Sequence, residues 1–191
     1  MKLLSNFLKR KSQQLTKTDK SSAGKVDPQI KKLVDKLNKK PEYYTTSSCS
    51  GRIALIKAEQ VKKPGLFLYI THKKLTFKEF KKILESMGKK EKSLVYLKQE
   101  PVILHVACEN LKKAQELVDR AKLEAGWKKS TILATKNRII AELLSTEHLD
   151  LPIMDKGKLL PDTNYFKLLL REANKKLKKT QDKIKRLEKV I

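Results

Sequence analysis

Apolar positions in this chain come in blocks whose period alternates between helix and strand. Residues 1–14 mix Leu3, Leu4, Phe7 and Leu8 with basic groups and predict a short helix. Lys17 to Lys25 is polar and turn-like. Asp27-Pro28 then reads as an N-cap with proline at the first helical position, and Ile30, Leu33, Val34 and Leu37 repeat at helical spacing before Pro41. Residues 43–47 and 52–58 read as strands about a Ser/Cys turn, and Leu66 to Ile70 as a buried strand after Pro64-Gly65. Thr76 and Glu79 have capping-box spacing ahead of Phe77, Phe80, Ile83, Leu84 and Met87, with Gly88 at the close. Strands at about 93–98 and 101–108 follow, then a helix capped by Asn110 and closed by Gly126. Residues 131–135 and 138–144 are the last expected strands, turning at Asn137. Pro152 and Pro161 bracket an expected loop, and a long helix runs from Asp162. The expected class is α+β: a mixed or antiparallel sheet with a βαββαβ-like core, packed helices and basic helical ends.

Composition narrows the setting. The chain has 191 residues, 39% hydrophobic and 35% charged, which suits one domain spanning 1–191, with 1–40 and 155–191 as basic helical extensions packed on or flanking the core. No apolar stretch approaches the roughly 20 residues that cross a bilayer. Met1-Lys2-Leu3-Leu4 is too short for a signal peptide. A cytoplasmic protein without membrane attachment is expected. Two cysteines, Cys49 and Cys108, make no disulfide framework, and with only His72, His105 and His148 besides, no dedicated metal site is expected.

Charge adds a partner. The formal net charge is +24. Residues 1–40 hold 12 Lys/Arg against 3 Asp/Glu, and residues 155–191 hold 12 against 5. Such basic ends attract polyanions, nucleic acid first and an anionic membrane surface second.

The candidate chemistry concentrates between Thr45 and Arg52. Thr45-Thr46-Ser47-Ser48-Cys49-Ser50-Gly51-Arg52 combines small hydroxyls, a thiol, a glycine and a guanidinium. Hydroxyls and exposed N–H groups cradle anions, and arginine adds a bidentate contact to carboxylate or phosphate. A Ser-rich turn between strands is the plainer reading. Cys49 is either a nucleophile or an ordinary buried cysteine. His105, mid-strand among apolar neighbours, is either a core histidine or a proton acceptor in a cleft. Ser130 and Ser145 fall near each other if their strands pair. Trp127 and Tyr43-Tyr44 are either core residues or stacking platforms for a base. No G-x-G-x-x-G, P-loop or G-x-S-x-G is present, which argues against a dinucleotide fold.

Taken in order, these motifs resemble the wybutosine-synthesizing tRNA methyltransferase family, the third enzyme of the eukaryotic pathway. The likeness rests on Thr45 to Arg52; on Glu100-Pro101 with Leu104-His105-Val106, Cys108 and Ala114-Gln115; and on Ser145-Thr146 with Leu151-Pro152 and Lys156-Gly157-Lys158-Leu159. Asp19, Ser21, Gly24, Val26 and Asp27 fit its N-terminal pattern. Ser130-Thr131-Ile132 departs from the family's Ser-Gly-Ile, and an insertion of the eukaryotic members is missing, so the chain looks like an archaeal member. The resemblance implies methyl transfer from S-adenosylmethionine to N4 of 7-aminocarboxypropyl-demethylwyosine at position 37 of tRNA(Phe). Within that reading His105 is the expected base with Asp27 behind it. Ser47, Ser48, Cys49, Ser50, Gly51, Arg52, Ser130, Ser145 and Thr146 are the expected cofactor-binding residues. A non-catalytic RNA-binding module that grips tRNA phosphates and a thiol enzyme using Cys49 are the alternatives.

Overall fold

Each helix starts at a residue that favours helix initiation or presents one apolar stripe to a sheet. The computed structural model describes residues 2–16, 26–59, 64–88, 91–136 and 138–191, and the side chains of all of these but 2–5. Its helices are α1 (Lys2–Leu15), α2 (Pro28–Lys39), α3 (Phe77–Gly88), α4 (Leu111–Asp119, continued as a π-helical stretch over Arg120–Glu124) and α5 (Thr163–Val190). Its strands are β1 (Tyr43–Cys49), β2 (Arg52–Lys57), β3 (Phe67–Thr71), β4 (Val95–Glu100), β5 (Ile103–Cys108), β6 (Thr131–Thr135), β7 (Arg138–Leu144), β8 (Leu149–Asp155) and β9 (Lys158–Leu159). The turn expected over Lys17–Lys25, with Asp19, Ser21 and Gly24, and the turn at Asn137 lie outside the described residues.

The class is α+β and the strand pairs are antiparallel. The strands form two sheets, ordered β1-β5-β7-β6 and β3-β2-β4-β8-β9. The βαββαβ run is therefore shared between two sheets. Pro101 stands between β4 and β5, and a proline offers no N–H to a ladder, so pairing stops there. The segment bracketed by Pro152 and Pro161, expected as a loop, holds the second part of β8 and all of β9. Pro152 sits inside β8, where the β4–β8 register shifts between Val95 and Tyr96, so the missing N–H falls at an irregular point.

The first compact unit comprises Met1–Ser50, Val102–Thr146 and Thr180–Ile191. One face of its sheet is covered by α2, through Ile30, Leu33, Val34 and Leu37, by α4, through Ala114, Leu117 and Val118, and by Ile184 and Leu187 of α5. Tyr43, Leu104, Val106, Cys108, Ala141 and Leu143 face them from the strands. On the opposite face Phe7 of α1 packs on Tyr44 and Ala107. That second face also carries the half-buried and exposed polar residues described below.

The second unit comprises Gly51–Pro101 and Glu147–Lys179. Phe80 and Leu84 of α3 and Phe166, Leu169, Leu170 and Ala173 of α5 pack on Ile53, Leu55, Leu97 and Ile153 of its sheet. The expected capping box forms: Thr76 N–H donates to Glu79 Oε2 at 2.8 Å, and Glu79 N–H donates to Thr76 Oγ1 at 3.3 Å. No helix among the described residues is long and apolar enough to cross a membrane.

Candidate functional site

Strand register builds the centre of the site. Ser47 lies across from His105, His105 across from Glu142, and Glu142 across from Thr131, so one row crosses the whole first sheet. Alternation puts His105 on the second face, because Leu104 and Val106 point into the core. A register shift between Thr45 and Ser47 inserts Thr46 as an extra residue. Without that bulge Thr46 would face His105; with it, Ser47 does.

From Ser47 to Glu142 the row is hydrogen-bonded. Ser47 Oγ lies 2.9 Å from His105 Nδ1, and His105 Nε2 lies 2.9 Å from Glu142 Oε1. A carboxylate only accepts, so the neutral imidazole carries its proton on Nε2 and accepts the Ser47 hydroxyl at Nδ1. His105 and Glu142 are 30% and 28% exposed, wet enough to exchange protons yet held in place. Glu142 is a candidate site residue that sequence reasoning missed. Its signal was present: one carboxylate interrupts the apolar run Ile139-Ile140-Ala141-Glu142-Leu143-Leu144.

The hydroxyl residues gather at one end of the same sheet. Cys49 pairs with Ile103, which pairs with Leu144, and the next residue, Ser145, donates its N–H to Val102 O at 3.2 Å. Ser50 and Ser145 are both fully or nearly fully buried there. Asp27 stands at the N-cap position of α2 but makes no side-chain cap bond. Its Oδ2 instead accepts the Ser50 backbone N–H at 2.8 Å. The carboxylate was expected behind His105; the ring nitrogens of His105 are held by Ser47 and Glu142, and Asp27 fixes the Ser50 turn. Ser145 Oγ is buried and finds no partner among the described residues. Thr146 is exposed and its Oγ1 accepts from Lys183 Nζ at 3.3 Å. Ser130 Oγ donates to Trp127 O at 2.7 Å and accepts Leu144 N–H at 3.2 Å, so this hydroxyl is committed to the fold. Ser48 and Cys49 are half-buried, and Cys49 is not in a disulfide.

Gly51 and Arg52 open the second unit. Gly51 has φ +80°, a conformation that a side chain makes costly. Its carbonyl accepts from His72 Nδ1 at 2.9 Å. The Arg52 guanidinium pairs with Glu100 through Nε and lies 4.6 Å from the Phe67 ring centroid. Five N–H donors mean that pairing through Nε does not exhaust it.

The remaining candidates belong to the core. Trp127 is fully buried and donates Nε1–H to Lys183 O at 3.1 Å. Tyr43 is buried with its hydroxyl on Lys113 O, and Tyr44 is buried against Phe7, so neither stands out as a stacking platform. Burial pushes the Cys108 thiol up to about 12, which keeps it protonated and inert. His148 is exposed.

Comparison with known proteins adds what geometry alone does not. The family described as Methyltransferase TYW3 matches residues 5–191. A Methanocaldococcus jannaschii protein named tRNA(Phe) 7-((3-amino-3-carboxypropyl)-4-demethylwyosine(37)-N(4))-methyltransferase is 34% identical over 161 residues, 83% of this chain and 82% of the relative. An Archaeoglobus fulgidus protein of the same name is 35% identical over 172 residues, 87% and 83% of the two chains. The human tRNA wybutosine-synthesizing protein 3 homolog is 36% identical over 186 residues, 94% of this chain and 70% of the relative. A solved protein of Pyrococcus horikoshii superposes with a TM-score of 0.88 at 28% identity, covering 100% of this chain and 98% of that one. With the match running from residue 5 to residue 191, this chain belongs to the TYW3 methyltransferase family.

Proposed function

We propose that this protein transfers a methyl group from S-adenosylmethionine to N4 of the 7-aminocarboxypropyl-demethylwyosine base at position 37 of tRNA(Phe), working as one methyltransferase domain over its length. The printed activity of the archaeal relatives supports the substrate. The observation that carries the chemistry is the Ser47–His105–Glu142 row on the second face of the first sheet, because an N–H acceptor must lose a proton as it gains the methyl.

S-adenosylmethionine supplies an electrophilic methyl carbon and leaves as the neutral thioether. Its amino-acid end needs hydroxyl and N–H partners, and the buried Ser145 Oγ, without a partner among the described residues and beside a serine-rich strand end, fits that need. Ser47, Ser48, Cys49, Ser50, Gly51 and Arg52, with Ser145 and Thr146, are the residues we assign to the cofactor. Ser130 supports them by tying Trp127 to β7, and Asp27 by fixing Ser50. His105 acts as the base. Ser47 Oγ accepts the substrate proton as its own passes to His105 Nδ1, and the Glu142 carboxylate at Nε2 stabilises the resulting imidazolium. A positioned base of this kind contributes a factor of about 10²–10⁴.

Lys74, Lys167, Arg171, Lys175 and Lys178 line an open groove of 540 Å³ on the second unit, and these cations are assigned to tRNA phosphates. The test is methyl transfer to tRNA(Phe) carrying the unmethylated base, alongside calorimetric titration of S-adenosylmethionine. Cofactor binding with methylated tRNA supports the reading. RNA binding without either would leave the non-catalytic module instead.

A further inference from the structure

The second face of the first sheet also carries a concavity, separate from the Ser47–His105–Glu142 row. A cavity of 330 Å³ lies under α1, floored by Phe7, Tyr44 and Ala107. Arg10, Lys136 and Arg138 line it, against one carboxylate, Glu109, among its described lining residues. Phe7 and Arg10 are three residues apart on α1 and so share a helix face. Phe7 and Tyr44 pack ring to ring at 5.2 Å with their planes tilted by 49°, giving an apolar wall beneath a cationic rim. Burial raises the Tyr44 phenol, and the charges of Arg138 and Arg10 oppose that rise.

Size and charge select the occupant. Ligand pockets run from about 300 to 1,000 Å³, so this one holds a single small molecule of nucleotide size. Three cations against one carboxylate leave an excess that matches a phosphate. The apolar wall of Phe7, Tyr44 and Ala107 suits the edge of a base packed against it without face-to-face stacking, since both rings are buried and tilted. Ala107 and His105 are two residues apart on β5 and so share the second face, about 7 Å apart along the strand.

We propose that this cavity receives one nucleotide of the RNA substrate, its phosphate held by Arg10, Lys136 and Arg138 and the edge of its base packed against the Phe7–Tyr44 wall. The assignment rests on the reading of the protein as a tRNA enzyme. It makes the cavity a second anchor, one that fixes the strand next to the reacting base rather than the base itself.

The experiment titrates the full-length protein by calorimetry with adenosine 5′-monophosphate, adenosine and inorganic phosphate, and separately with tRNA across a salt series. No methyl donor is added, so failure of methyl transfer and failure of this site are read independently. The nucleotide is expected to bind at least tenfold more tightly than adenosine or phosphate. Arg138→Glu and Lys136→Glu, both at exposed positions and so outside the packed core, are each expected to weaken the nucleotide at least fivefold. Each is also expected to lower the slope of log affinity for tRNA against log salt by about 1. Adenosine binding as well as its monophosphate, no saturable nucleotide binding, or both variants matching the unaltered protein would each overturn the proposal.

Discussion

The Asp27 carboxylate accepts the Ser50 backbone N–H at 2.8 Å. This bond links the start of α2 to the end of β1, and it uses an oxygen that would ordinarily cap α2. Ser50 is fully buried, so its N–H depends on a protein acceptor rather than on water. Asp27→Ala is expected to lower unfolding free energy by about 1–3 kcal/mol, measured by urea denaturation. Asp27→Asn keeps an acceptor oxygen and should recover most of the loss. An alanine variant as stable as the unaltered protein would show that the bond contributes nothing.

In the proposed mechanism Glu142, 2.9 Å from His105 Nε2, acts through that ring and not on the substrate. Glu142→Ala is expected to lower kcat about tenfold or more while leaving the calorimetric affinity for S-adenosylmethionine within about twofold. Glu142→Gln still offers an oxygen to Nε2–H, so the ring keeps its orientation, and the variant should fall between the two. A change confined to KM or to cofactor affinity would contradict this role.

The Lys57–Glu91 pair provides a pH test in the second unit. The Lys57 ammonium at 2.8 Å, helped by the Ser93 N–H at 2.9 Å, lowers the Glu91 carboxyl from 4.5 to about 2. A depressed carboxylate pKa stabilises the fold above pH 4.5, and that gain is lost as pH falls toward 2. Glu91→Gln should therefore cost about 1–3 kcal/mol at pH 7 and progressively less below pH 4.5, read from paired denaturation curves. A cost that does not change with pH would show that charge is not its source.

The groove cations on α5 are spaced for a polyanion. Lys167, Arg171 and Lys175 follow one another at four-residue intervals, about 6 Å per step along one helix face. Arg171→Glu with Lys175→Glu is expected to weaken tRNA binding at least tenfold at low salt and to flatten the salt dependence. Identical salt slopes for variant and unaltered protein would remove this groove from the RNA-binding surface.

Helices were the more legible part of the sequence, because their stripes and caps are local. Asp27-Pro28, the Thr76/Glu79 box and Asn110 each mark a start that the structure keeps. β8 and β9 were hidden because two prolines read as loop signals, and the pairing of β8 with β4 is set by a partner distant in sequence. The division into two sheets was likewise invisible, since no local pattern says that β4 joins β2 while β5 joins β1. In the site, the serine-rich turn and His105 stood out by composition. Glu142 did not, because its meaning comes from lying across the ladder from His105. The roles of Asp27 and Ser130 changed for the same reason: a sequence names a carboxylate or a hydroxyl, and only the fold says which group consumes it.

The most direct measurement is single-turnover transfer of labelled methyl from S-adenosylmethionine to tRNA(Phe) bearing the demethylwyosine precursor, comparing the unaltered protein with His105→Ala. The account predicts label on the base for the unaltered protein and a rate lower by about 10²–10⁴ for the variant, with tRNA affinity retained. Equal rates for the two proteins, or no label on the base with either, would contradict it.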